Sequence, residues 1–97
     1  MTTETQVIKL TMPKWGLSMT EGRLVSWLVD EGSTIRPGDE VAEVETEKIN
    51  GVVEAPAGGI LRRRVAEPGQ VIPVGGMLGI IADESTPDEA IQELIAE

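Results

Sequence analysis

The stretch "GRLVSWLVDEGSTIRPGDEVAEVE", residues 22–45, decides the fold, because the chain uses its pattern twice. Slid forward by 37 residues, it falls on "GILRRRVAEPGQVIPVGGMLGIIA", residues 59–82. Gly22 meets Gly59, Leu24 meets Leu61, Gly32 meets Gly69, Ile35 meets Ile72 and Gly38 meets Gly75. Leu28/Val65, Asp30/Glu67, Val41/Leu78 and Val44/Ile81 agree in character. Self-similarity at a fixed offset marks a repeated structural unit, and glycines at matching places mark matching turns. Two copies are too few for a solenoid. They predict two small antiparallel sheets packed face to face.

The rest of the chain agrees. Turn signals recur as "PKWG", "EGS", "RPGD", "NG", "APAGG", "EPG" and "VGG". Between them lie short β-favouring runs, "VIKLTM", "RLVSWLV", "EVAEVET", "INGVVEA", "ILRRRVA" and "MLGIIA". Such spacing reads as an all-β sandwich or barrel, and no helical stripe precedes residue 86. One residue strains the pattern. If Leu24 and Leu28 face inward, so do Leu61 and Val65, and Arg63 then shares their face. An unpaired buried Arg is costly, so Arg63 must reach an edge, find a carboxylate or mark a bulge. The tail "DESTPDEAIQELIAE" differs in kind. Thr86, Pro87 and Glu89 have the form of a capping box with proline at the first helical position. Ile91, Leu94 and Ile95 would make one stripe. So short a helix is marginal alone. Residues 83–97 therefore read as an acidic linker, or as the start of a short helix that leads on to a following domain, after a domain spanning 1–82.

Composition narrows the chemistry. The 97 residues carry 8 Lys+Arg against 17 Asp+Glu, a formal charge of −9. That balance argues against nucleic-acid and anionic-membrane surfaces. With no Cys and no His, thiol- and imidazole-based catalysis and metal sites built on those ligands are excluded. A carboxylate-only cation site stays open, although no EF-hand spacing of acids is visible. No signal peptide or membrane span is apparent, so the cytoplasm is the expected location. Trp15 and Trp27 are the only aromatic residues, so the core must be aliphatic.

The segment between the two copies contains "VETEKINGVV", residues 44–53, and places Lys48 at or beside a hairpin tip. The plain reading is a solvated turn lysine. Three features weigh against it. Lys48 stands near the midpoint of the repeat. It is surrounded by Glu43, Glu45, Glu47 and Glu54 with no other cation nearby in the sequence. Gly32 and Gly59 bracket its strands.

These residues carry a resemblance. Over about residues 6–82 the chain resembles the lipoyl domains of 2-oxo acid dehydrogenase complexes. "ETEK" is similar to that family's lysine motif, with Glu45 and Thr46 matching and Lys48 at the lipoylated position. "MPKWGLSMTEG" (12–22), "EAPAGG" and "EPGQVIPVG" are similar to its other turns. "PKWGLSMTEG" and the tail most resemble the acyltransferase component of acetoin dehydrogenase systems. Two positions depart from the family pattern. Glu47 replaces the usual aspartate, which keeps the charge, and Ile49 replaces a small residue.

The resemblance implies a flattened sandwich or barrel of two four-stranded antiparallel sheets with internal two-fold pseudo-symmetry. It implies a swinging-arm carrier, not a catalyst, with lipoic acid covalently joined to Lys48 by a lipoate ligase or lipoyl transferase. The arm would take an acyl group, acetyl in an acetoin system, from a thiamin-diphosphate-dependent first component (E1). It would pass that group to coenzyme A at the acyltransferase domain (E2), and the flavin-dependent dihydrolipoamide dehydrogenase (E3) would reoxidise it. The chemistry is the cofactor's, while the protein positions it and is recognised. Recognition would fall to Glu45, Glu47 and Ile49 and to the loop Trp15, Gly16, Leu17 and Ser18. For Trp15, packing within the loop stands as an equal reading. Trp27 reads as packing, and "RRR" (62–64) as a solvated strand face before a docking surface. The rival functions are a biotinyl carrier, which typically has Met on both sides of the lysine where Glu47 and Ile49 stand here, and an unmodified sandwich of the membrane-fusion-adaptor kind.

Overall fold

The computed structural model describes residues 7–96. Eight strands come in the order β1 (Val7–Thr11), β2 (Glu21–Trp27), β3 (Thr34–Ile35), β4 (Glu40–Glu45), β5 (Asn50–Glu54), β6 (Gly59–Arg64), β7 (Val71–Pro73) and β8 (Met77–Ala82), and a helix α1 (Asp88–Ala96) comes last. Sheet A has the order β1-β8-β6-β3 and sheet B the order β5-β4-β2-β7, every pair antiparallel. The 37-residue shift carries β2 onto β6, β3 onto β7 and β4 onto β8. Sheet B thus repeats sheet A strand for strand, with β5 in the place of β1. The sheets stay open, as a sandwich and not a barrel.

The repeat extends to backbone and core. Gly32 and Gly69 both have φ of 91°, and Gly38 and Gly75 have φ of 87° and 86°. These lie in the left-handed region where a Cβ is strained, so both copies need glycine at the same two turns. A Cβ on Gly22 would meet Val44, and one on Gly59 would meet Ile81, the equivalent side chain. The inner faces are filled by matching residues: Leu24 and Leu61, Ile35 and Ile72, Val41 and Leu78, Val44 and Ile81 are all buried. Leu10 and Met12 join them. The core is aliphatic, as the composition requires.

A matched irregularity settles Arg63. The β2–β4 register shifts between Leu24 and Ser26, and the β6–β8 register shifts between Leu61 and Arg63. An extra residue in a strand reverses the facing of every residue beyond it. Arg63 therefore stands opposite Ile80 on the outer side of sheet A and not beside Leu61. The same reversal corrects the inward placement of Leu28, which is 46% exposed. Trp27 packs inward instead and donates its indole N–H to the Ala66 carbonyl at 2.9 Å.

Helix α1 lies against the outer side of sheet A. Ile91 is buried with Ile80 and Ala82, and Val7, Met77, Leu94 and Ile95 flank them. Arg62 pins the start of the helix, donating to the Asp83 carbonyl at 2.7 Å and to the Asp88 carboxylate at 2.9 Å. Pro87 immediately precedes the helix, and its carbonyl accepts from the Ala90 N–H at 3.1 Å. The expected capping box does not form: the buried Thr86 hydroxyl has no hydrogen-bond partner. Asp88 and Glu89 in the first turn supply the negative charge that a helix N-terminus favours.

Candidate functional site

The longest hairpin contact in sheet B, β4 with β5, runs in register through Val44↔Gly51 and Glu45↔Asn50 and ends in the four residues Thr46–Ile49. Thr46 closes this tip with both its backbone and its side chain. Its N–H donates to the Ile49 carbonyl at 2.7 Å, and its hydroxyl donates to the same carbonyl at 3.0 Å. The hydroxyl also accepts from the Ile49 N–H at 3.0 Å and, more weakly, from the Lys48 N–H at 3.4 Å. A threonine that bonds its own turn in this way stiffens it. Glu47 and Lys48 ride outermost, both exposed. Among the described residues no ion pair engages the Lys48 amine.

Beside the tip lies an open groove of about 630 Å³. It brings together Trp15, Gly16, Ser18, Glu45, Glu47, Lys48 and Ile49, all named from the sequence. Leu17 is not among its walls. It is 98% exposed. Trp15 is half-buried, and its ring lies on Gly51: a Cβ there would come within 3.0 Å of Trp15 Cη2. The loop that carries it is a tight turn, with the Met19 N–H donating to the Gly16 carbonyl at 3.1 Å and the Trp15 N–H to Met19 Sδ at 3.2 Å. Trp15 therefore packs the loop against the hairpin and still faces the groove.

Arg23, Met19 and Val71 also line the groove and were not legible as site residues. Arg23 sits opposite Glu45 on one side and Val71 on the other, and its guanidinium reaches the Glu45 carboxylate at 3.6 Å. Strand pairing alone brings Arg23 and Val71 there, and Met19 comes with the 15–18 loop that it closes. The hairpin offers an exposed primary amine on a stiff support next to open space. That suits an acyl group attached through an amide, and nothing at the tip pairs a nucleophile with a base.

A pseudo-two-fold sandwich that displays one lysine on a hairpin tip is the architecture of a prosthetic-group attachment domain. The chain belongs to the biotin/lipoyl attachment family, whose model, described as "Biotin-requiring enzyme", matches residues 8–81. It is 53% identical over 96 residues to the dihydrolipoyllysine-residue acetyltransferase component of the acetoin cleaving system of Pseudomonas putida, covering 95% of this chain and 26% of that protein. It is 49% identical over 90 residues to the same component of Cupriavidus necator, covering 93% and 24%. The chain thus spans about a quarter of the length of these relatives. Among solved structures, the lipoyl domain of the 2-oxoglutarate dehydrogenase complex of Azotobacter vinelandii superposes with a TM-score of 0.62 at 24% identity, over 81% of this chain and 99% of that one. A single-chain, multi-domain long-chain acyl-CoA carboxylase superposes with a TM-score of 0.65 at 23% identity, over 93% and 8%. The last two similarities carry the fold alone.

Proposed function

We propose that this chain is the lipoyl carrier domain of a dihydrolipoyllysine-residue acetyltransferase in an acetoin-cleaving system, with lipoic acid joined to Lys48. The observation that carries the reading is the exposed lysine on the Thr46-stiffened tip of a chain 53% identical to an acetyltransferase component of that name. When bound, lipoic acid supplies a dithiolane that accepts and releases an acyl group. The protein's part is presentation. Thr46 fixes the tip, the β4–β5 ladder holds it, and amide formation removes the Lys48 charge from an acidic surround.

The partners on this reading are a thiamin-dependent first component, the acyltransferase site, dihydrolipoamide dehydrogenase and a lipoate ligase. Glu45, Glu47, Ile49 and the 15–18 loop form the surface they meet. Residues 83–97 lead toward a following domain, and the protein works in the cytoplasm. Tethering keeps the reactive end at high effective concentration near each site, with no loss of the intermediate to solution.

The intact mass of protein made with lipoate available tests this. We expect one added lipoyl group, lost completely in Lys48→Arg, because the exposed Lys9 and Lys14 lie off the hairpin. One added biotinyl group, or a lipoyl group retained in Lys48→Arg, overturns the assignment.

A further inference from the structure

The groove beside Lys48 carries apolar surface that stays open to solvent. Val71 and Ile49 are 48% and 47% exposed, and both line it with the half-buried Trp15 and Met19. Val71 lies on the edge strand β7, in register with Arg23, which is in register with Glu45. It therefore sits two strand spacings, about 10 Å, across sheet B from the strand that leads into the tip. One exposed apolar side chain is ordinary. Here apolar groups from three separate segments converge on one groove, and that groove opens at the Lys48 tip.

We propose that this groove is the resting seat of the arm attached at Lys48, with Trp15, Met19, Ile49 and Val71 holding its apolar length between visits to partner sites. The inference rests on the lipoyl reading and goes beyond it, since a carrier needs no contact between arm and domain. The occupant follows from that reading: an acyl chain joined to the Lys48 amine is tethered at the groove that Lys48 itself lines together with Val71. Its covalent attachment makes a weak seat sufficient. A short tether gives an effective concentration on the order of 1 mM, so a seat of about 1 mM affinity is half filled. Half filling shields the reactive end part of the time and yields it to a partner of ordinary affinity.

Trp15 provides the readout. In a Trp27→Phe background it is the one remaining indole, and it borders the groove. The chain made with and without lipoate is compared by intact mass, by tryptophan emission and by backbone amide chemical shifts. With the lipoyl mass present, a half-filled seat puts the disulfide against the indole half the time, so Trp15 emission is expected to fall by about half. The amides of Met19 and Val71, distant from Lys48 in sequence, are expected to shift. Val71→Asp, at an exposed edge position, should return emission and the Met19 amide to their unmodified values while the lipoyl mass remains. If Trp27→Phe does not fold, the amide shifts of the parent chain decide alone. A lipoylated chain whose shifts are confined to residues 46–50, with emission unchanged, overturns the seat and leaves the carrier reading standing. Absence of the lipoyl mass overturns the carrier reading, and the seat with it.

Discussion

The outer faces of the two sheets occupy equivalent places in the repeat and carry opposite chemistry. On sheet A, Met77, Ile80 and Ala82 form an apolar strip covered by helix α1. The same shift that aligns the strands places Glu40, Glu43 and Glu45 at those positions on sheet B. There Glu40 faces Glu54 across the ladder, Glu43 accepts from the Ser26 hydroxyl at 3.4 Å, and Glu45 meets Arg23. Like charges opposed on neighbouring strands cost a little stability, so this face is not optimised for folding. The inner faces, by contrast, match nearly residue for residue. A duplicated fold is constrained where its halves touch and free where they do not. One copy used that freedom to bind a helix and the other to keep an open acidic surface behind Lys48.

The largest effects should fall where the halves are alike. Leu24→Ala and Leu61→Ala, both fully buried, should each cost about 3 kcal/mol in urea unfolding. A difference between them larger than about 1 kcal/mol would show that the two halves share the core unequally. A smaller and deliberately asymmetric pair comes next. Ile80→Glu gives sheet A the residue of sheet B beneath Ile91, and should cost about 2 kcal/mol as α1 detaches. Hydrogen exchange would show this as lost amide protection over 88–96. Glu43→Ile, the reverse exchange, should stay within about 0.5 kcal/mol of the parent. Equal losses from both would mean that the helix is not what distinguishes the faces. The last test is local to the groove. Gly51→Ala forces the Trp15 ring to move and should cost about 1 kcal/mol, with Trp15 emission moving toward that of an exposed indole. Unchanged emission would separate the loop from the hairpin.

Much of this architecture was legible because the repeat is written in glycines and inward-facing aliphatic residues. Both are dictated by backbone strain and by core volume. Arg63 announced an irregularity, and pleat geometry alone could not choose between an edge, a carboxylate and a bulge. The bulge became visible only when its twin at Leu24–Ser26 was seen. The docking of α1 left a signal in "MLGIIA": an unbroken apolar strand is covered on both faces. Lys48 and most of its neighbours were readable from resemblance to a motif. Arg23 and Val71 were not, since their place in the groove depends on pairings between strands far apart in sequence. Thr86 misled, because its side chain is buried and its hydroxyl bonds nothing instead of capping the helix.

Val7 and Ala82 are direct register partners at the start of β1 and the end of β8. The first strand therefore starts beside the point where the last one ends. From Val7, β1 runs about 17 Å before the chain turns through Met12 to Trp15, whose ring touches the Lys48 hairpin. The lysine is thus at one pole and both strand ends are at the other. A partner that meets the tip therefore approaches from the side away from both strand ends, with the length of the sandwich between them.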